Sequence, residues 1–140
     1  YVPHAMESVV TPGHIGTNIV INSGKVLGKP DPMDMTADDV AKLRDQMTRR
    51  GKPVGNLPDN AIRGAIKKRG EDFRDKAPTT PVQAAAIILD GAREDRWRIL
   101  VGEDAQALDH QVRARPEDAY EAEFMQGLHD DGYLNFTLDR

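Results

Sequence analysis

The chain contains no cysteine in its 140 residues. Disulfides, thiolate zinc sites and cysteine nucleophiles are excluded together, and a reducing compartment is compatible with this. Long apolar runs are missing too. Ile19-Val20-Ile21 and Ala84 to Leu89 fall well short of the ~20 apolar residues that span a bilayer. The N-terminal residues lack the basic start, apolar core and small-residue cleavage site of a secretory signal. Nor is there an excess of positive charge: 19 Lys+Arg stand against 23 Asp+Glu, a net charge of −4 with a pI near 5.5. That balance argues against a broad electrostatic footprint for nucleic acid or an anionic membrane. We therefore expect a cytoplasmic protein with neither nucleic-acid nor membrane partners. His4, His14, His110 and His129 share no metal-ligand spacing, and we assign no metal site. Gly-x-Ser-x-Gly and phosphate-loop patterns are absent as well.

What is present is the balance of an ordinary folded chain, 39% hydrophobic and 30% charged, of a length that suits about one domain. It begins at Tyr1 and not at Met, from which we expect either processing or a longer parent. Glu7 to Thr11 reads as a short strand stopped by Pro12-Gly13, since proline cannot donate to a ladder and glycine allows a sharp turn. Gly13-His14-Ile15-Gly16-Thr17-Asn18 is then a loop directly after a strand end. Residues 22–35, with Gly24, Gly28, Pro30 and Pro32, read as a further loop. Thr36 is predicted to cap a helix with Asp38 and Asp39 in its first turn, Val40, Leu43 and Met47 as its apolar stripe and Gly51 as its stop. A second helix is predicted from about Asp59 to Arg69, with Ile62, Ala65 and Ile66 inward and Lys67-Lys68-Arg69 complementing the dipole. Thin stripes and charged outer faces give this pair the character of a peripheral lid.

Thr80-Pro81-Val82-Gln83 is a capping box with proline at the first helical position. The helix that follows, Val82 through about Ala92, is apolar on nearly every side. Such a helix demands cover all round, so a sheet on one face needs a second helix or another subunit on the other. Arg96-Trp97-Arg98 leads into Ile99-Leu100-Val101, a continuous apolar run expected of a parallel strand buried on both faces, with Trp97 entering the core. Gly102 ends it. Asp104 is expected to cap a helix carrying Ala105, Leu108 and Val112, and Pro116 to start another with Ala119, Tyr120 and Phe124. From Gln126 onward the chain is polar and expected to be irregular, His129-Asp130-Asp131 being a solvated tail. The order is strand, long insertion, buried helix, strand: one βαβ unit, expected to cross over right-handed with parallel strands. Two parallel strands do not complete such a sheet, so the pattern reads as the end of a doubly wound fold, with an open or externally paired edge at Glu7–Thr11.

These segments resemble a known family. Ser8-Val9-Val10-Thr11-Pro12-Gly13-His14-Ile15-Gly16-Thr17 is similar to the stretch after the sixth strand of short-chain dehydrogenase/reductases, where the family pattern is Pro-Gly-x-Ile/Val-x-Thr. Ala84 to Leu89 and then Arg98-Ile99-Leu100-Val101-Gly102 resemble that family's last crossover helix and seventh strand. Residues 18–76 correspond to its variable substrate loop, and Asp104-Ala105 with Asp109 and Arg113 resemble the C-terminal tail of a bacterial subgroup. The likeness runs over roughly residues 5–125 and is carried by the order and spacing of its parts.

The resemblance implies an α/β fold, the C-terminal part of a Rossmann-like doubly wound parallel sheet. It divides the chain into strand and cofactor loop (1–17), substrate-loop or lid insertion (18–76), helix and last strand (78–102), and C-terminal helices and tail (103–140). It implies an NAD(P)-dependent oxidoreductase acting on a small molecule, with NAD or NADP as cofactor. Pro12 and Gly13 would shape the floor of the nicotinamide site, the backbone of Ile15 would bond the nicotinamide carboxamide, and Thr17 would assist at the carboxamide or pyrophosphate. Open α/β sheets do bind ligands at the carboxyl ends of their strands, where this loop falls. Partners implied are a second copy, the missing N-terminal half or a full-length relative, docking through the Val82–Ala92 helix and the last strand.

Two family signatures are absent. Gly24 and Gly28 have the first spacing of the Gly-x-x-x-Gly-x-Gly turn, but residue 30 is proline. No Tyr-x-x-x-Lys occurs: Tyr1 is followed four residues on by Ala5, Tyr120 by Phe124 and Tyr133 by Thr137. That tyrosine is the proton donor and the lysine lowers its pKa, so we assign no catalytic residue and expect this chain alone not to transfer hydride. Both motifs would lie upstream of Tyr1. Two alternatives stand beside this: a non-catalytic binding or interaction module derived from the same fold, and a self-contained αβ domain of another kind.

Overall fold

In the computed structural model residues 6–133 are described. In chain order they form β1 (Val9–Pro12), α1 (Ile19–Val26), α2 (Ala37–Arg49), α3 (Asp59–Asp75), α4 (Pro81–Arg93), β2 (Arg98–Val101), α5 (Glu103–Ala114) and α6 (Ala122–Asp130), with single 3-10 turns at Pro32–Asp34 and Asp118–Tyr120. The architecture is mixed α/β, mostly helical, with one two-stranded parallel sheet. The described residues divide into two units, one of residues 6–16 together with 77–133, the other of Thr17–Lys76.

The first unit is organised by the sheet. β1 and β2 run parallel in the register Val9 opposite Arg98 through Pro12 opposite Val101. Parallel neighbours cannot be joined by a hairpin and need a long crossover, which here ends in α4. The α4 capping box forms as its sequence dictates: the Gln83 N–H donates to Thr80 Oγ1 at 3.2 Å, and the Thr80 N–H to Gln83 Oε1 at 2.9 Å. Pro81 occupies the first helical position, where no donor is needed. One face of α4 then packs on β2, burying Ala84 with Ile99 and Val101, and Ile15, Ile87 and Ile88 close around them. The other face is bare. Val82 is 80% exposed and Leu89 54%, with Ala85 and Ala86 beside them. The all-round cover that α4's composition calls for is therefore not supplied by this unit.

β2 alternates. Ile99 and Val101 are buried while Arg98 and Leu100 are only half so, a strand with one covered face where two were expected. Trp97 is 68% exposed and not in the core, because it precedes the strand's first paired residue. On β1 both Val9 and Val10 are exposed, and no second described strand pairs with it. α5 is tied to the sheet by charge: the Arg98 guanidinium donates to Asp109 Oδ1, and Arg113 Nε reaches Asp109 Oδ2 at 3.0 Å. Past Arg115 the helix expected to start at Pro116 gives way to the 3-10 turn at Asp118–Tyr120, and α6 begins only at Ala122 and runs to Asp130, through the stretch from Gln126 that was expected to be irregular. Its Phe124 and Leu128 are buried, Leu128 completely, so two apolar residues four apart hold a helix whose flanks are polar.

The second unit is a set of helices. Thr36 caps α2 with a reciprocal box, accepting from the Asp39 N–H at 3.2 Å while Asp39 Oδ2 accepts from the Thr36 N–H at 3.1 Å. Arg44 fastens α2 to the start of α3, donating to the Leu57 carbonyl at 2.9 Å and to Asp59 at 2.7 Å. Val40, Val54 and Ile62 are its buried apolar residues. α3 outruns the expected stop near Arg69 and continues to Asp75, supported by Asp72, which takes both Lys68 and Lys76 as ion-pair partners one turn away. Residues 19–26, part of which reads as loop, form α1 instead. The Ser23 hydroxyl bonds back to the Ile19 carbonyl at 2.6 Å, and Ile21 packs on Gly70 of α3, so tertiary contact overrides the poor propensity of Asn22-Ser23-Gly24.

Two measurements check this description. Leu128→Ala should cost about 2–5 kcal/mol in denaturant unfolding, as a fully buried leucine does, whereas an irregular tail would register almost nothing. Desolvation raises the pKa of Asp109, but hydrogen bonds from Arg98 and Arg113 outweigh it and hold the carboxyl below its ordinary value. A lowered folded-state pKa stabilises above the ordinary aspartate value of about 3.9 and is lost as pH falls through the folded value. Asp109→Asn should therefore be less stable than the parent at neutral pH, with the gap closing on acidification below pH ~4. A gap that stays constant on acidification contradicts the Arg98–Asp109–Arg113 pairing.

Candidate functional site

The loop at the carboxyl end of β1 is built from backbone donors. The Gly13 N–H continues the ladder and donates to the Val101 carbonyl at 2.9 Å. The His14 N–H donates to Asp104 Oδ2 at 2.5 Å. Ile15 forms an isolated parallel bridge with Thr79, and the Gly16 N–H donates to the Thr79 carbonyl at 2.9 Å. Of the four amides from Gly13 to Gly16, that of Ile15 alone bonds to no described residue. Its side chain meanwhile packs against the Ala84, Ile99 and Val101 cluster. The loop thus presents one backbone donor from a segment whose other amides are tied down.

Asp104 is the group that sequence reasoning placed differently. The N-cap of α5 is Gly102, and Asp104 sits at the second helical position without capping the helix. Its carboxylate reaches back to the loop instead, and the residue is only 6% exposed. Oδ1 is buried and takes no hydrogen bond from a described residue. A carboxylate out of water needs compensation, and here it has the short bond from His14 and the positive N-terminal end of α5. The fit is close. A Cβ on Gly13 would stand 2.0 Å from Asp104 Oδ1, and one on Gly102 2.6 Å from it and 2.8 Å from Thr79 Oγ1. Gly102 also has φ +103, a conformation side chains rarely adopt. Glycine is required at both positions by the carboxylate that lies between them.

The structure brings Pro12, Gly13 and Ile15 together at one end of the sheet, with Asp104 and Thr79 as their supports. Pro12 is exposed, Gly13 and Ile15 are half-buried, and His14 is buried. Thr17 lies in the other unit. Its Oγ1 accepts from the Ile19 N–H at a long 3.4 Å, opening α1. Gly102 was legible only as the end of β2, and Thr79 carried no signal of its own beside the cap at Thr80. No cluster of three or more His, Cys, Asp or Glu able to hold a metal occurs among the described residues. What the loop offers chemically is one backbone hydrogen-bond donor, the Ile15 N–H, in a segment whose neighbouring amides are held.

No protein-family model, curated protein or solved structure matches this chain.

Gly13→Ala should lower stability by about 1–3 kcal/mol, as overpacking against a fixed group does. Gly24→Ala is the control, since nothing lies within 4 Å of the added methyl, and it should stabilise α1 by up to about 1 kcal/mol. Equal effects at the two sites would contradict the close fit of Gly13 on Asp104.

Proposed function

We propose that this chain carries the C-terminal elements of a short-chain dehydrogenase/reductase-type fold and supplies part of a nicotinamide-binding site for NAD or NADP. The observation that carries this is the Ile15 amide, a donor left open at the carboxyl end of a parallel strand. Ligands bind open α/β sheets at such ends, and the family resemblance assigns a carboxamide-binding role to the backbone at this position. Pro12 and Gly13 supply the floor beneath it. Thr17 takes the family's role at the carboxamide or pyrophosphate by resemblance alone. The substrate in this proposal is a small molecule and the setting the cytoplasm. No helix among the described residues is long and apolar enough to cross a membrane.

The chain has no Tyr-x-x-x-Lys to move a proton and no Gly-x-x-x-Gly-x-Gly turn to hold a pyrophosphate. Both come, in this proposal, from the missing N-terminal half, and the chain alone does not transfer hydride. In this proposal the rest of the sheet lies along β1, which no second described strand pairs, and a second copy or a full-length relative lies against the exposed Val82 and Leu89 of α4; the exposed face and edge support this reading. A binding module without chemistry is favoured instead if no catalytic pair accompanies the chain.

The test is to read the gene upstream of the Tyr1 codon, express the whole reading frame and titrate it with NADH and NADPH by nucleotide fluorescence. We expect both motifs in frame, saturable binding of one nucleotide by the longer product, and no tight binding by residues 1–140 alone. Absence of the motifs, or a longer product that binds neither nucleotide, would overturn the proposal.

A further inference from the structure

We infer that Asp104 is a positioning residue, which orients the Ile15 amide toward ligand by holding the amide before it. The inference rests on the nicotinamide-site proposal for what Ile15 binds, but the orientation itself is a property of the loop.

An extended backbone turns successive N–H groups to opposite sides. The His14 N–H is held by Asp104 Oδ2 and the Gly16 N–H by the Thr79 carbonyl. With the amides on either side of it fastened within the fold, the Ile15 N–H is constrained to point away from those supports. The Ile15–Thr79 bridge keeps this stretch extended, as the alternation requires. Thr79 contributes a carbonyl that any residue would provide, whereas Asp104 contributes a side chain that reaches the loop from the first turn of a different element, α5. Replacing it removes one of the two fastenings without touching the main chain.

The close fit makes Asp104 specific in this role. Its carboxylate occupies the space beside Gly13 and Gly102 that a Cβ on either would enter, so a longer glutamate has no room to substitute. Hydrogen bonds to an ionised acceptor are shorter and roughly twice as strong as neutral ones. Asp104→Asn keeps one neutral carbonyl acceptor for the His14 N–H, while Asp104→Ala keeps none.

Site-resolved amide hydrogen exchange on the 140-residue chain, without nucleotide, reads this directly. In the parent we expect the His14 and Gly16 amides protected and the Ile15 amide exchanging faster than both. Asp104→Ala should lower His14 protection by about 10- to 100-fold, the range set by losing a hydrogen bond to a charged group. Gly16 protection should fall with it as the loop loosens, while the ladder amide of Thr11 and the helical amides of α4 keep theirs. Asp104→Asn should restore part of the His14 protection. A merely structural role for Asp104 would instead lower protection across β1, β2 and α4 together. Uniform loss of that kind, or His14 protection unchanged in Asp104→Ala, would overturn the inference. Because no nucleotide is present, failure here is distinct from failure of the nicotinamide-site proposal, which the fluorescence titration decides separately.

Discussion

A carboxylate removed from water survives in a folded protein only where hydrogen bonds or fixed dipoles replace its hydration. In the sheet-containing unit that group is Asp104, and much of the local architecture follows from accommodating it. The His14 N–H donates to one oxygen and the first turn of α5 presents its positive end. The two glycines against it, Gly13 after β1 and Gly102 after β2, leave room for the carboxylate between the ends of the two strands. One side chain therefore links the exits of both strands to the entrance of α5. The parallel register, the β2–α4 core and the loop conformation all meet at this point.

How much of this could be read from the residues depended on how local the cause was. The capping boxes of Thr36 and Thr80 involve partners three residues apart, and both form as the sequence indicates. The parallel pairing of the two strands followed from the helical segment between them, since no hairpin could join them. Asp104 is the opposite case. Two residues past a glycine, an aspartate looks like a cap, and only the distant approach of His14 gives it another partner. The end of α6 was hidden in a different way: after Gln126 only Leu128 is apolar before Asp130, so a polar stretch read as a tail although Leu128 is fully buried. α1 was obscured by Asn22, Ser23 and Gly24, whose weak helical propensity is overcome by packing of Ile21 on Gly70. Trp97 misled by position, lying one residue before the strand that buries its neighbours.

The same division holds for the candidate site. Pro12, Gly13 and Ile15 could be singled out because they stand in a recognisable order at a strand's end, although Pro12, expected to stop the strand after Thr11, is its last paired residue. Their supports, Asp104, Thr79 and Gly102, could not, because support is a matter of which amide is left over once the others are satisfied. Counting backbone donors identifies Ile15 as the one amide between Gly13 and Gly16 without a partner among the described residues. In the function we propose, that free donor at the half-buried Ile15 is the one a ligand would take. On α4, Val82 and Leu89 are exposed while the other side of the helix packs on β2.

In the arrangement we propose, the loop holds a nicotinamide through the Ile15 amide while Asp104 holds the loop. The decisive measurement is a crystal structure of the full reading-frame product with a nicotinamide dinucleotide bound. We expect an acceptor of the carboxamide within about 2.7–3.2 Å of the Ile15 nitrogen, with the His14 N–H still on Asp104. A dinucleotide bound elsewhere, or an Ile15 amide satisfied by the protein itself, would contradict it.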